Sequence, residues 1–370
     1  MFKFSKSHAY SIGVDIGDDN LKLVQLGEDG NGISLIAGQS ENLPEGVKAG
    51  SSQWQKWAIE TIRQLTSKGG FQGKEVIAAL PASDVFIDNI KMPKSDDNNI
   101  EEAIFSKIKQ KLPFEPIQEN TMIKYIPMEQ DNALVIAAER KIIDRHLAIY
   151  EKVGLSIKSI GIWPTALANC YTKFFGRRES DIETVVMLVC IEANYTNVVI
   201  CRHNNLLFAR SLSIGQSQLN NKKSVNKLVL DLTECRRQFA SMNPRGKVGR
   251  LVFLISQTTI DKEMCVAIAK QLDLPAQVGD CLAAVEITEP SSLDGSSEND
   301  KKATGTPIER AIAKQLNIAA QVRDRLAAVD IAEPCRLGGG SENDKKAAST
   351  PIERRKCEVN WATAFGLSLS

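Results

Sequence analysis

Three short strand-like runs followed by one amphipathic helix occur in each half of this chain, and that order leaves few architectures open. In the first half the runs cover residues 10–16, 21–26 and 33–38, split by the turns Gly-Asp-Asp-Asn and Glu-Asp-Gly-Asn-Gly. A helical stretch at 54–65 follows, with Trp54, Trp57, Ala58, Thr61, Ile62 and Leu65 on one face; that spacing predicts core packing for both tryptophans. In the second half, runs at 185–191, 197–201 and 206–214 precede a helix over 223–241. The repeated order predicts two α/β lobes, each a mixed sheet covered by helices.

Between them the chain keeps alternating. Apolar runs at 75–80 and 85–92 end at Pro81 and Pro93. A helix capped by Asp96 or Asp97 is expected over 98–111, stopping at Leu112-Pro113. Strands at 122–126 and 134–138 lead to a helix over 141–153 closed by Gly154, and a strand at 157–162 to a helix opened by Pro164. Further on, 251–255 reads as a buried strand and 263–272 as a helix.

A tandem repeat lies near the end. Residues 267–310 and 311–354 align with a shift of 44 positions, and 31 of the 44 pairs are identical. Solenoids need about three repeats to bury a continuous core, so two copies indicate an internal duplication. Each copy carries a short helix, a short strand (276–278 or 320–322) and a polar linker expected to be exposed. Both compete for one place in the second lobe's sheet; the first copy, which continues the preceding strand and helix, is expected to take it.

Composition excludes several jobs. The net charge is +1, from 46 basic and 45 acidic residues, which gives no basic surface for nucleic acid. No apolar run approaches the ~18 residues that span a bilayer. The lysine-bearing start is followed by Asp15, Asp18 and Asp19 rather than by the apolar core of a secretory signal. Eight scattered cysteines contain no Cys-x-x-Cys pair and read as buried hydrophobes of a reduced compartment. The three histidines (His8, His146 and His203) sit in no metal-ligand or nucleophile spacing. A cytoplasmic protein is expected. Phe2 and Phe4 between Lys3 and Lys6 offer at most a peripheral membrane contact, the alternative being a frayed tail.

One motif carries chemistry. Gly13-Val-Asp-Ile-Gly17, a polar turn and Leu21-Lys-Leu-Val-Gln-Leu26 resemble the first phosphate hairpin of actin-like ATPases. Glycines in such a turn let backbone N–H groups approach a phosphate, and Asp15 can order magnesium through water; a plain structural hairpin shows the same pattern. The order of Ala78-Ala-Leu-Pro81, Ile100-Glu-Glu-Ala-Ile104, Leu112-Pro-Phe-Glu-Pro116, Ala137-Ala-Glu-Arg140, Trp163-Pro164, Leu206-Leu-Phe-Ala-Arg-Ser211 and Trp361-Ala-Thr-Ala-Phe-Gly-Leu367 resembles the PilM family of type IV pilus assembly proteins. The resemblance implies an actin-like (ribonuclease H-like) two-lobed α/β fold, related to that of FtsA, with a small α+β insertion. It divides the chain into lobe 1 (1–74 and 163–182), the insertion (75–162) and lobe 2 with the duplication (183–370). It implies ATP and magnesium held by Asp15, Gly17, Asn20, Lys22, Asn194 and Thr196, with Asp15 toward the metal.

Departures from the family pattern argue against that ligand. The second phosphate hairpin, expected to read Asp-x-Gly, has Cys190 and Glu192, and the first carries Asp18 and Asp19 where small hydroxyl residues are usual. The nucleoside turn lacks paired glycines, running as Ser256-Gln-Thr-Thr259. Each added carboxylate about 4 Å from a phosphate opposes it by about 4 kcal/mol at an effective dielectric constant of about 20. The expectation is therefore a scaffold with a degenerate nucleotide site rather than a catalyst. By resemblance it sits at the inner face of the inner membrane. It binds the N-terminal tail of a PilN-like membrane protein in a groove within 77–164, and links that protein to the pilus assembly motor. An active ATPase of the superfamily and a type II secretion platform component are the alternatives.

Overall fold

The computed structural model describes residues 8–29, 32–93, 99–255, 261–287 and 360–370. The second repeat copy, the Ser256–Thr259 turn and the residues from Met1 to Ser7, Phe2 and Phe4 among them, lie outside these. In chain order the elements begin with β1 (His8–Ala9), β2 (Ile12–Ile16), β3 (Asn20–Asp29), β4 (Gly32–Asn42), α1 (Ser52–Lys68) and β5 (Glu75–Ala79). Next come β6 (Phe86–Lys91), α2 (Ile100–Ile108), β7 (Thr121–Met128), β8 (Asn132–Glu139), α3 (Arg140–Val153), β9 (Ser156–Gly161), α4 (Trp163–Phe174) and α5 (Glu179–Ile182). The second half holds β10 (Val185–Ile191), β11 (Thr196–Arg202), β12 (Asn205–Leu212), α6 (Lys222–Met242), β13 (Arg250–Leu254), α7 (Lys262–Leu272), β14 (Ala276–Gly279), β15 (Glu286–Ile287) and α8 (Ala362–Ser368).

Two sheets share one plan. In the first, β4, β3 and β2 form an antiparallel meander, and β5 and β9 extend it in parallel from β2; β15 pairs β4 and β1 pairs β3 at the margins. In the second, β12, β11 and β10 form the meander, and β13 and β14 extend it from β10. The apolar run of β10, Val-Val-Met-Leu-Val-Cys-Ile, is buried along its whole length because it lies between two partners with both faces covered. This is the expected two-fold α/β order.

Helix α1 starts where Ser51 Oγ accepts the Trp54 N–H at 3.1 Å. It buries Trp54, Ala58, Thr61, Ile62 and Leu65, while Trp57 stays half-buried. That face meets α3, where Ile149 and Tyr150 are buried against it and His146 stacks edge-on with Trp54 at 5.5 Å. His146 is 1% exposed and neither ring nitrogen has a hydrogen-bond partner among the described residues. Burial, with Arg145 beside it, lowers its pKa from 6.5 to about 4. The unfolded chain therefore binds the proton first, so this contribution to stability is complete above pH 6.5 and is lost as pH falls toward 4. Lowering the pKa from 6.5 to about 4 corresponds to about 3 kcal/mol. Urea titrations between pH 7 and 4 should show that loss, and His146→Phe should flatten it; an unchanged slope would assign the acid sensitivity elsewhere.

The span 75–162 does not behave as one insertion. Its ends, β5 and β9, belong to the first sheet, and α3 packs on α1; a three-stranded sheet, β6-β8-β7, is formed within it. Helix α2 buries Ile104, Phe105 and Ile108 against that small sheet. The C-terminal helix α8 also differs from its expected place in lobe 2, since it seats on β2, β3 and α4. Two glycines permit that seat. A Cβ on Gly13 would lie 2.2 Å from Ala364 O, and one on Gly366 would lie 1.8 Å from Ala166 O.

Strand β14 comes from the first repeat copy and pairs Ala276–Gly279 with Leu251–Leu254. A Cβ on Gly279 would come within 2.9 Å of the Phe175 ring. Two residues on, the buried Cys281 thiol lies 3.1 Å from that of Cys170 on α4. All six cysteines of the described residues are free and buried.

Candidate functional site

The two meanders bring their first hairpins to one place. In β2–β3, Gly17 N–H donates to Asn20 O at 2.7 Å, and the register sets Asp15 opposite Lys22. In β10–β11, Glu192 N–H donates to Tyr195 O at 2.9 Å, which fixes Glu192 just beyond the end of β10. Strand β13 ends beside it at Leu254. The site thus lies at the carboxyl ends of the strands, where open α/β sheets present loops to ligands.

Lys22 stands at its centre. Its Nζ is 2.9 Å from Asp15 Oδ2 and 3.5 Å from Glu192 Oε2, and it donates to the Asn360 carbonyl at 2.8 Å. The lysine side chain is 2% exposed, those of Asp15 and Glu192 12% and 6%. Asn360 ties the site to more distant elements. Its Nδ2 donates to Leu254 O at 2.7 Å and to Cys190 Sγ at 3.2 Å, and its Oδ1 accepts the Ala362 N–H at the start of α8. The Cys190 thiol in turn donates to Glu192 Oε1 at 3.4 Å.

The charges follow from this geometry. Burial works against the Lys22 ammonium, but Asp15 and then Glu192 outweigh it and raise its pKa above the usual lysine range. Glu192 is raised by burial, with Lys22 opposing and Asp15 and Asp19 adding to the rise. The closer Asp15 is the stronger partner of the lysine; Glu192 carries more of the desolvation cost. Burial and then Glu192 also push the Cys190 thiol up. Around the triad, Asp18 accepts the Ser83 hydroxyl at 2.7 Å; its pKa is raised, chiefly by burial and then, against that hydrogen bond, by Asp19 and Asp15. Asp84 is raised by burial and by Asp18, against Arg145.

The residues expected at a nucleotide divide into two groups. Asp15, Gly17, Asn20 and Lys22 stand together in the first hairpin. Asn20 is 4% exposed and its Oδ1 lacks a partner among the described residues. Asn194 and Thr196 serve the second hairpin's own loop: Thr196 Oγ1 donates to Ile214 O at 2.7 Å, and exposed Asn194 accepts from Ser217 at 3.3 Å. Gly215 lies so close beneath that turn that a Cβ would be 2.4 Å from Tyr195 N. Among the described residues no group of three or more His, Cys, Asp or Glu is arranged to hold a metal ion. Sequence reasoning missed Asn360, which belongs to no motif, and saw Glu192 only as a repulsive carboxylate rather than as a partner of Lys22.

The three-stranded sheet is fastened near the second meander by polar contacts. Asn89 on β6 exchanges two hydrogen bonds with the Ala209 backbone on β12, at 2.8 and 3.1 Å. Glu129 pairs with Arg202 at 2.6 Å and accepts from Asn205 and Asn243. No helix among the described residues is long and apolar enough to cross a membrane.

Comparison with known proteins agrees with this architecture. A chain of a solved "PilM-PilN type IV pilus biogenesis complex" superposes with a TM-score of 0.63 at 18% identity, over 97% of this chain and 98% of that one. A Bacteroides thetaiotaomicron protein with an actin-like ATPase fold gives 0.43 at 12% identity, covering 78% and 96% of the two chains. The cytoplasmic domain of EpsL, an inner-membrane component of the Vibrio cholerae type II secretion system, gives 0.42 at 12% identity, covering 83% and 94%. No curated protein sequence matches the chain. The fold is that of the chain from the PilM-PilN complex. The sequence model described as "Type IV pilus assembly protein PilM" matches residues 13–238, which is more than half of the chain, and the protein therefore belongs to the PilM family of type IV pilus assembly proteins.

Proposed function

We propose that this chain is a nucleotide-independent scaffold of type IV pilus biogenesis, held in the cytoplasm at the inner membrane by the N-terminal tail of a PilN-like membrane protein and linking it to the assembly motor. Membership of the family and a likeness in fold, over nearly the whole of both chains, to a chain from a PilM-PilN complex support the partner. The reading seats the tail within residues 77–164; Ile126, Met128, Ile142 and Ile162 of that span are partly buried apolar side chains packed against the core.

The observation that carries nucleotide independence is the pairing of Lys22. ATP with magnesium needs a cation free to meet a phosphate and a carboxylate free to order metal-bound water. Here Asp15 and Glu192 hold the lysine and Lys22 holds Asp15. The residues present do not fit that ligand, and no chemical step is assigned to the protein.

Calorimetric titration tests both parts. A peptide copying the tail of the same organism's PilN-like protein should bind the full chain with micromolar Kd, about −8 kcal/mol, and magnesium ATP should leave that value unchanged. Heat from ATP alone, or peptide binding that requires ATP, would end the nucleotide-independent reading. A folded chain that ignores the peptide would end the partner assignment.

A further inference from the structure

The Lys22 ammonium has three N–H donors; Asp15 lies at 2.9 Å and the Asn360 carbonyl at 2.8 Å, and the Glu192 carboxylate faces the same ammonium as an ion pair at 3.5 Å. Asp15 alone neutralises the lysine, so charge balance does not call for a second carboxylate. Adding one leaves the triad with net negative charge in a place 2–12% exposed to water, an arrangement that costs desolvation unless the carboxylate fills a position that favours an anion. Glu192 meets that condition. It comes from the other sheet, follows the end of β10, and reaches a cation on the facing hairpin. Its second oxygen accepts the Cys190 thiol, so the carboxylate uses both oxygens as a bridging oxyanion would.

We propose that the Glu192 carboxylate is the built-in occupant of an oxyanion position at Lys22, joining the two hairpins without a ligand and keeping polyphosphates out. The proposal deepens the nucleotide-independent reading and rests on it. It makes Glu192 the residue that decides selectivity: the anion is supplied by the chain, so the hairpins are joined at any ligand concentration. Removing that side chain should expose a position with one buried ammonium donor and room for a phosphoryl group.

The test uses the full chain with inorganic tripolyphosphate, free of metal, as the probe. Wild-type protein should show no change in Tm. Glu192→Gly should melt lower and regain Tm saturably as tripolyphosphate is added, as for a ligand that binds only the folded state. Sodium chloride at equal ionic strength should not reproduce this. Binding to the variant should exceed that to wild type by more than about tenfold, the effect of removing one like charge at close range. Adding Lys22→Met to the variant should abolish the response. Glu192→Ala also empties the position, with less backbone freedom than glycine, and decides the matter if the glycine variant does not fold; it too should gain a response. A folded variant with no response, or a response that survives loss of Lys22, overturns the proposal. Equal binding by wild type overturns it as well. Peptide binding that depends on ATP would instead sink the scaffold reading, so the two failures are separable.

Discussion

Removing residues 267–310 should leave no folded protein, whereas removing 311–354 should leave Tm within a few degrees of the full chain. The two deletions take out near-identical sequences, so an architecture that used either copy would give equal results. The asymmetry comes from two of the thirteen differing positions. Gly279 and Cys281 of the first copy align with Arg323 and Arg325 of the second. At position 279 even a methyl group would touch the Phe175 ring, and position 281 is buried against Cys170. Two guanidinium groups placed there would have to displace an aromatic ring and bury charge without a designated counter-ion, a combination that exceeds the 4–5 kcal/mol at which single substitutions become exceptional. Against a total stability of about 5–15 kcal/mol that is enough to unfold the chain. Circular dichroism melts of both deletions are the measurement. Arg323→Gly with Arg325→Cys should restore folding to the 267–310 deletion, and a native-like melt of that deletion without them would mean that the copies are interchangeable.

The second large effect is expected at Lys22. Changing Lys22→Met keeps the stem but leaves the Asp15 and Glu192 carboxylates buried with no cation, and takes a donor from the Asn360 carbonyl. Breaking a buried pair from one side costs about 3–5 kcal/mol. Urea denaturation should show that loss at pH 7, and the gap to wild type should narrow as pH falls, because a protonated Glu192, whose pKa burial raises, needs no counter-ion and no longer pairs with the wild-type lysine. A loss below about 1 kcal/mol would mean that water reaches the triad and that it behaves as a surface pair.

Much of this architecture was legible in the sequence, for physical reasons that also mark where legibility ends. Helix α1 could be read face by face because Trp54, Ala58, Thr61, Ile62 and Leu65 repeat with the helical period and the core takes that whole stripe. The β2–β3 hairpin was visible because Gly17 to Asn20 separates two apolar runs. Sheet membership was not. The run Glu75–Ala79 announces a buried strand but carries no mark of its neighbour, so its parallel pairing with β2 was hidden, as was that of β9. Helix α8 was misplaced because its seat depends on Gly13 and Gly366, whose missing side chains leave no periodic signal. At the site, Asp15 and Lys22 share a hairpin and could be read together. Glu192 and Asn360 reach the same ammonium from 170 and 338 positions away, and only the folded arrangement of the strand ends makes them neighbours.

The buried thiols give the molecule a built-in clock for its own opening. Burial, chiefly, pushes Cys201, Cys235 and Cys265 up to about 12, so at neutral pH only about one in 10⁵ of each is thiolate, the form that reacts. A maleimide can thus label them at a useful rate only in moments when the surrounding element has come apart. The reporters are well spread: Cys201 sits in β11, Cys235 in α6, Cys265 in α7, Cys190 against the Lys22 site, and Cys170 with Cys281 across the place filled by the first repeat copy. With Cys335 and Cys357 changed to serine, the order in which the remaining cysteines acquire label would rank these regions by how often each one breathes.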